Sequence, residues 1–366
     1  MTSPVASPRS AFPLWITGVC VAIVIYASLQ PFTGWTALAP NTRFFLWQPG
    51  QRWMPRDFSF NFFAYVPLGF ALAASLPSSW PAARRVGVSC FCASLLALTL
   101  ETAQMWLPTR YASTFDVLAN AAGALAGAVI TVALLAFTPV VSWIERIRTA
   151  LVVPGASGDL QLVLLAVWLL AQTNPAIPLF AATFHPGQQA AYEPAVIVVE
   201  FAQTAAALIG IGLFTDLTMR KRWLGGIALV GVVSAAAVIK TAAAQAVLTP
   251  VAWEEWLRPG HALGLAGGAF ALMMLFWLPR RAKSVLAGIA MLTGVLVTLL
   301  LPDFIGAKAP LSIFSWSYGH LLHLNGLTHT IIILWPFVAT TVLLWRFVAL
   351  PSADKGDTGA PPTILE

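Results

Sequence analysis

Seven polar side chains, set in two short stretches of an otherwise apolar chain, are the residues able to do chemistry. Asp57 and Asn61 lie in the first stretch; Glu101, Gln104, Arg110, Asp116 and Asn120 lie in the second. Three carboxylates, three carboxamides and a guanidinium can donate to, accept from and charge-pair with a polar ligand. If the set ran a reaction, Glu101 or Asp116 would be its general base. No phosphate loop, dinucleotide fingerprint or serine–histidine arrangement accompanies them. Three further residues, His320, His323 and His329, lack the Glu or Cys that would complete a recognisable metal set. Recognition is therefore expected ahead of catalysis, with no cofactor and no metal.

Spacing says which elements must hold these groups. Glu101 and Gln104 are three apart and share one face at the end of a helix that Pro108 stops. Arg110 falls in the short polar loop that follows. Asp116, Asn120, Gly123 and Gly127 follow at intervals of four, three and four, which makes one stripe of the next helix. Ser113 or Thr114 is the expected N-cap, and Asp116 sits well beside the positive end of the helix dipole. Gly123 and Gly127 form a GxxxG pair that permits close helix approach. Upstream, Asp57 and Asn61 share a face, with Pro67 and Gly69 as packing residues deeper in the same helix. Arg110 is expected to bridge Glu101 or Asp116, because an unpaired charge in such surroundings is costly. Two readings stand side by side: a binding site, and an ion-paired clasp that holds the helices together.

The background explains why these groups stand out. The chain is 58% hydrophobic and 9% charged, with a mean hydropathy of +0.80. Soluble domains carry about a quarter charged residues, so the composition is that of an integral membrane protein. Cys20, Cys90 and Cys92 all lie in apolar runs and read as packing residues, with no disulfide framework. Apolar runs long enough to be considered as spans occur near 12–32, 58–76, 84–106, 116–138, 159–174, 194–215, 223–247, 261–278, 284–301 and 329–349. The expected fold class is all-α, a polytopic transmembrane bundle of about ten spans.

Basic residues alternate across these spans. Arg84 and Arg85, Arg146 and Arg148, Arg220 to Arg222, Arg280, Arg281 and Lys283, then Arg346 fall on the side of Arg9. The opposite side has scattered residues such as Arg43, Arg52, Arg56, Arg110, Arg258 and Lys308. The positive-inside rule then puts both termini in the cytoplasm and the polar cluster at the outer face. The formal charge of +6 accordingly reads as topology, and no nucleic-acid partner is expected. Trp253 to Trp256 reads as an interfacial anchor, Lys240 as a lysine snorkelling from its helix, and residues 351–366 as a disordered tail.

A shift of 141 residues pairs Phe60 with Phe201, Gly69 with Gly210, Gln104 with Gln245, Gly123 with Gly264 and Gly127 with Gly268. The polar set does not carry over: Asn61, Glu101, Arg110 and Asp116 face Ala202, Ala242, Val251 and Leu257. The expectation is two parallel four-helix repeats plus two extra helices, with one working site in the first half.

Segments 56–70 (RDFSFNFFAYVPLGF) and 101–127 (ETAQMWLPTRYASTFDVLANAAGALAG) resemble the VanZ-like membrane proteins. That pattern falls here on Asn61, Tyr65, Pro67, Gly69, Glu101, Gln104, Arg110, Asp116, Asn120, Gly123 and Gly127. The resemblance covers residues 12–138 and implies a four-helix transmembrane module, in a family whose named member is linked to teicoplanin resistance. Residues 158–279 would then be a degenerate second module, and 284–350 two additional helices. It implies a multi-pass protein of the bacterial inner membrane in contact with membrane lipids. The leading expectation is a non-catalytic factor in envelope homeostasis or glycopeptide tolerance, whose ligand is an envelope precursor or a glycopeptide-type molecule. A transporter of a polar or lipid-linked envelope solute is the second reading, and an enzyme on a lipid-linked precursor the third.

Overall fold

A computed structural model describes residues 10–48, 53–174, 179–180, 194–247, 258–300 and 319–349. The expected Trp253–Trp256 anchor, Arg52, Lys308 and the 351–366 tail lie outside the described residues. Among those described the fold is all-α. The helices are α1 (Phe12–Leu29), α2 (Pro55–Ser75), α3 (Ala82–Gln104), α4 (Thr114–Ala136), α5 (Thr138–Leu151), α6 (Ala156–Ala171), α7 (Pro194–Thr218), α8 (Leu224–Val247), α9 (Pro259–Leu275), α10 (Arg280–Leu300) and α11 (Gly319–Ala349).

Each of the ten apolar runs has its helix. Seven are long and apolar enough to cross a membrane: α1 to α4, α7, α8 over Leu224–Gln245 and α11 over Gly326–Trp345. Helices α6 and α9 are shorter apolar ones. Helix α5 is an addition to the expected set, because 14 residues of mixed polarity fall below any spanning threshold. Local chemistry sets several starts. Pro55 and Pro259 occupy the first turns of α2 and α9, where a missing N–H costs nothing.

The chain divides into two compact units, one formed by Met1–Asn174, Ala242–Thr249 and Phe314–Ile331, the other by the remainder. In the first unit α2 and α4 pack face to face around small residues. A Cβ on Gly69 would run into the Ala124 carbonyl, one on Gly123 into the Phe62 carbonyl, and one on Gly127 into the Val66 carbonyl. Backbones this close replace the hydrophobic drive that lipid cannot provide with van der Waals contact. Pro67, expected to pack with these glycines, faces outward and is exposed. Val24, Tyr65, Leu68, Ala93, Ala97, Leu100 and Ala124 close a core among α1 to α4.

In the second unit α7 packs on α9 and α10. A buried ion pair there joins Lys283 Nζ to Asp216 Oδ2 at 2.6 Å. Lys283 was expected in a basic loop on the membrane surface; it is instead wholly buried. Lys240, expected to snorkel, is also buried in α8.

Candidate functional site

Helix α3 ends at Gln104 and the chain turns tightly, with Leu107 N–H donating to Gln104 O at 2.9 Å and Arg110 N–H to Leu107 O at 2.9 Å. Helix α4 then starts on a side-chain cap, the Ser113 hydroxyl accepting from Phe115 N–H at 3.2 Å. Glu101 completes this start from the neighbouring helix: its Oε2 accepts the Ser113 N–H at 2.8 Å. A carboxylate at a helix N-terminus answers both the orphan donors and the dipole there. Glu101 is 5% exposed, so this bond is its anchor in a low-dielectric place.

Gln104 and Arg110 serve a different helix end. Gln104 Nε2 donates to Ser28 O at 3.0 Å, Arg110 Nη2 to Ala27 O at 2.6 Å, and Arg110 Nε to Gln30 O at 3.2 Å. These are the last carbonyls of α1 and its cap, the acceptors a helix leaves open at its C-terminus. A guanidinium is favoured there by the dipole as well. Beside the expected pairing with a carboxylate, Arg110 thus serves backbone carbonyls, and the Glu101 charge acts on it through its field. Burial lowers the Arg110 pKa from its ordinary value, and the Glu101 charge works against that fall.

Asp57 and Asp116 are brought together at an open cavity of about 390 Å³, lined also by Met54, Phe58, Tyr111, Ser113 and Phe115. Ser113 is the hinge of the arrangement, because its backbone is held by Glu101 while its side chain borders the cavity and caps α4. Glu101, Gln104 and Asn120 are buried and take no part in the cavity wall. Asn61 is half-buried on α2 and stands apart from the wall too. Asn120 Oδ1 and the Tyr65 hydroxyl, both buried, have no hydrogen-bond partner among the described residues. The seven predicted residues therefore separate into two at an open pocket, three that tie helix ends, and two asparagines on the helix faces between.

The VanZ/LLP1 family model matches residues 10–136, the segment that holds this whole arrangement. Over residues 10–136 the chain is similar to the VanZ/LLP1 family. Helices α1 to α4 fall within the matched segment, and the candidate site lies at the α3–α4 turn and the start of α2. No curated protein and no solved structure matches the chain.

A second polar cluster, in the other unit, went unread in the sequence. Glu200 Oε1 lies 2.5 Å from Arg258 Nε and 4.0 Å from His261 Nε2, and His261 Nδ1 is 2.8 Å from Thr204 Oγ1. Glu200 and Thr204 come from α7, His261 from α9, and Arg258 is the residue before α9 begins. The signal that was available is the repeat register: His261 stands 141 residues after Asn120, three residues ahead of Gly264 as Asn120 is ahead of Gly123. Among the described residues no group of three or more His, Cys, Asp or Glu side chains is placed to hold a metal ion.

Proposed function

We propose that the VanZ-like module is the working part of a non-catalytic envelope factor in the bacterial plasma membrane. The α3–α4 turn would face outward, and the cavity would bind the polar end of an envelope precursor or a glycopeptide-type molecule. The observation that carries this reading is the open cavity with Asp57 and Asp116 in its wall, built over a turn that Glu101, Gln104 and Arg110 hold in place. Division of labour between wall and support is what a preorganised binding site needs. Two carboxylates among Phe58, Tyr111 and Phe115 suit a ligand whose polar end carries an amine. The alternation of basic residues along the chain supports the outward placement and cytoplasmic termini.

The test uses a strain lacking this protein and complemented with the full chain. The double variant Asp57→Asn, Asp116→Asn should reach wild-type abundance in the membrane yet give no more survival in teicoplanin than the empty vector. Survival equal to wild type at equal abundance would overturn the reading. If the wild-type chain itself gives no teicoplanin tolerance, survival under other inhibitors of envelope assembly is compared in the same way.

A further inference from the structure

Helix α5 is the element that the span pattern does not account for, and none of its residues is buried. At the helical repeat of 3.6 residues, Val140, Trp143, Ile144, Ile147 and Leu151 fall on one stripe. All five are exposed; Trp143 is 58% and Ile144 54% accessible. Ser142, Glu145 and Thr149 lie on the opposite side, and Arg146 and Arg148 stand on the two borders between. An apolar stripe bordered by arginines, on a helix about 21 Å long, does not reach across a hydrocarbon core of about 30 Å.

The ends of α5 say where it lies. A single residue, Phe137, separates it from the end of α4. At the other end Arg148 pairs with Asp159 in the first turn of α6. The other oxygen of that carboxylate accepts from Ser10 Oγ and from Ala11 N–H, both at 2.9 Å, at the start of α1. One apolar helix ends and two begin at the points to which α5 is tied, so α5 runs at the level of a membrane surface. Lipid is what meets an exposed stripe at that level, and the exposed Leu134, Leu135 and Phe137 carry the same apolar surface on from the end of α4.

We infer that α5 is an interfacial helix that lies in the plane of the bilayer surface. Its stripe is buried at the boundary between headgroups and acyl chains, and Arg146 meets phospholipid phosphate. The distribution of side chains is the one that binds helices to phospholipid surfaces. Through the Arg148–Asp159 clasp this surface contact is joined to α1, whose other end is held by Gln104 and Arg110.

The experiment places the full chain in nanodiscs of phosphatidylethanolamine and phosphatidylglycerol. Cys20, Cys90 and Cys92 are replaced by Ser, and single nitroxide-labelled cysteines are introduced from position 140 to 149. Oxygen collision should dominate at Ile144→Cys and Ile147→Cys, and a water-soluble nickel chelate at Glu145→Cys and Thr149→Cys, with several-fold swings at the helical period. Equal access of the nickel chelate at every position would overturn the proposal. So would dipolar broadening at Ile144→Cys, which would assign the stripe to a second copy of the chain. If the cysteine-free protein does not fold, brominated phospholipids are used on the native chain and on Trp143→Phe. The proposal then requires the quenched fraction to fall when Trp143 is removed, and an unchanged fraction overturns it.

Discussion

Two helix pairings in this protein, α2 with α4 and α7 with α9, share a packing scheme and differ in what they bury. In the first, Gly123 and Gly127 bring α4 against the Phe62 and Val66 carbonyls of α2. In the second, Gly264 approaches the Phe201 carbonyl and Gly268 the backbone of Ala205, both on α7. A buried polar side chain precedes the glycines by three residues in each, Asn120 in one and His261 in the other. Around Asn120 the charges come from α2, α3, the α3–α4 turn and α4 itself, and two of the acids, Asp57 and Asp116, open onto a cavity. Around His261 the charge is closed, Glu200 being 2.5 Å from Arg258. The glycine frame therefore serves packing in either setting, and the polar residues are additions to it. The second half thus has charges of its own at other positions, paired with one another.

The sharpest way to break the comparison is to fill the glycines. Gly127→Ala places a Cβ against the Val66 carbonyl and the Phe70 N–H, both backbone, so the helices must part. A cost of about 3 kcal/mol is expected. Gly268→Ala meets its nearest atoms at 3.2 Å and needs a shift of a few tenths of an ångström, so it should cost under about 1 kcal/mol. Melting of the two variants in one detergent compares them directly. Equal losses would mean that the two pairings are not held to the same closeness by their glycines.

Charge comes next. Arg258→Ala leaves Glu200 buried without its cation and should cost about 3 kcal/mol, most of which returns in the double variant with Glu200→Gln. Arg110→Ala removes the donors to the Ala27 and Gln30 carbonyls and should cost about 2 kcal/mol, with part of it recovered by Arg110→Lys. The loss should show as faster proteolysis at the end of α1. A wild-type proteolysis pattern in Arg110→Ala would remove it from the clasp and return it to the candidate binding residues.

The frame was far more legible in the sequence than these pairings. Ten apolar runs announce ten helices because spanning demands length and composition, both visible in one dimension. The GxxxG pair and the Ser113 cap are local patterns and were equally plain. Arg110 was harder, since a backbone carbonyl has no residue type and nothing in the sequence marks Ala27 or Gln30 as acceptors. Glu200 and Arg258 are 58 positions apart, so their pairing depends on how α7 meets α9. Helix α5 was missed for a third reason: a search for spans discards a short amphipathic stretch, although its stripe is written in the residues.

Asn120 gives the smallest expected effect and the finest division between frame and site. Its buried Oδ1 makes no hydrogen bond among the described residues, so removing the carboxamide gives up little and relieves an uncompensated acceptor. Asn120→Ala should shift stability by less than about 1 kcal/mol, the lost contacts and the relieved acceptor working in opposite directions. The same variant assayed for envelope phenotype reads the other half of the question. Near-native melting with a lost phenotype would put Asn120 with Asp57 and Asp116, as a residue of the binding site. Melting as low as that of Arg110→Ala would instead make Asn120 part of the clasp, and the division drawn between the glycine frame and its polar additions would fail at the residue where the two meet.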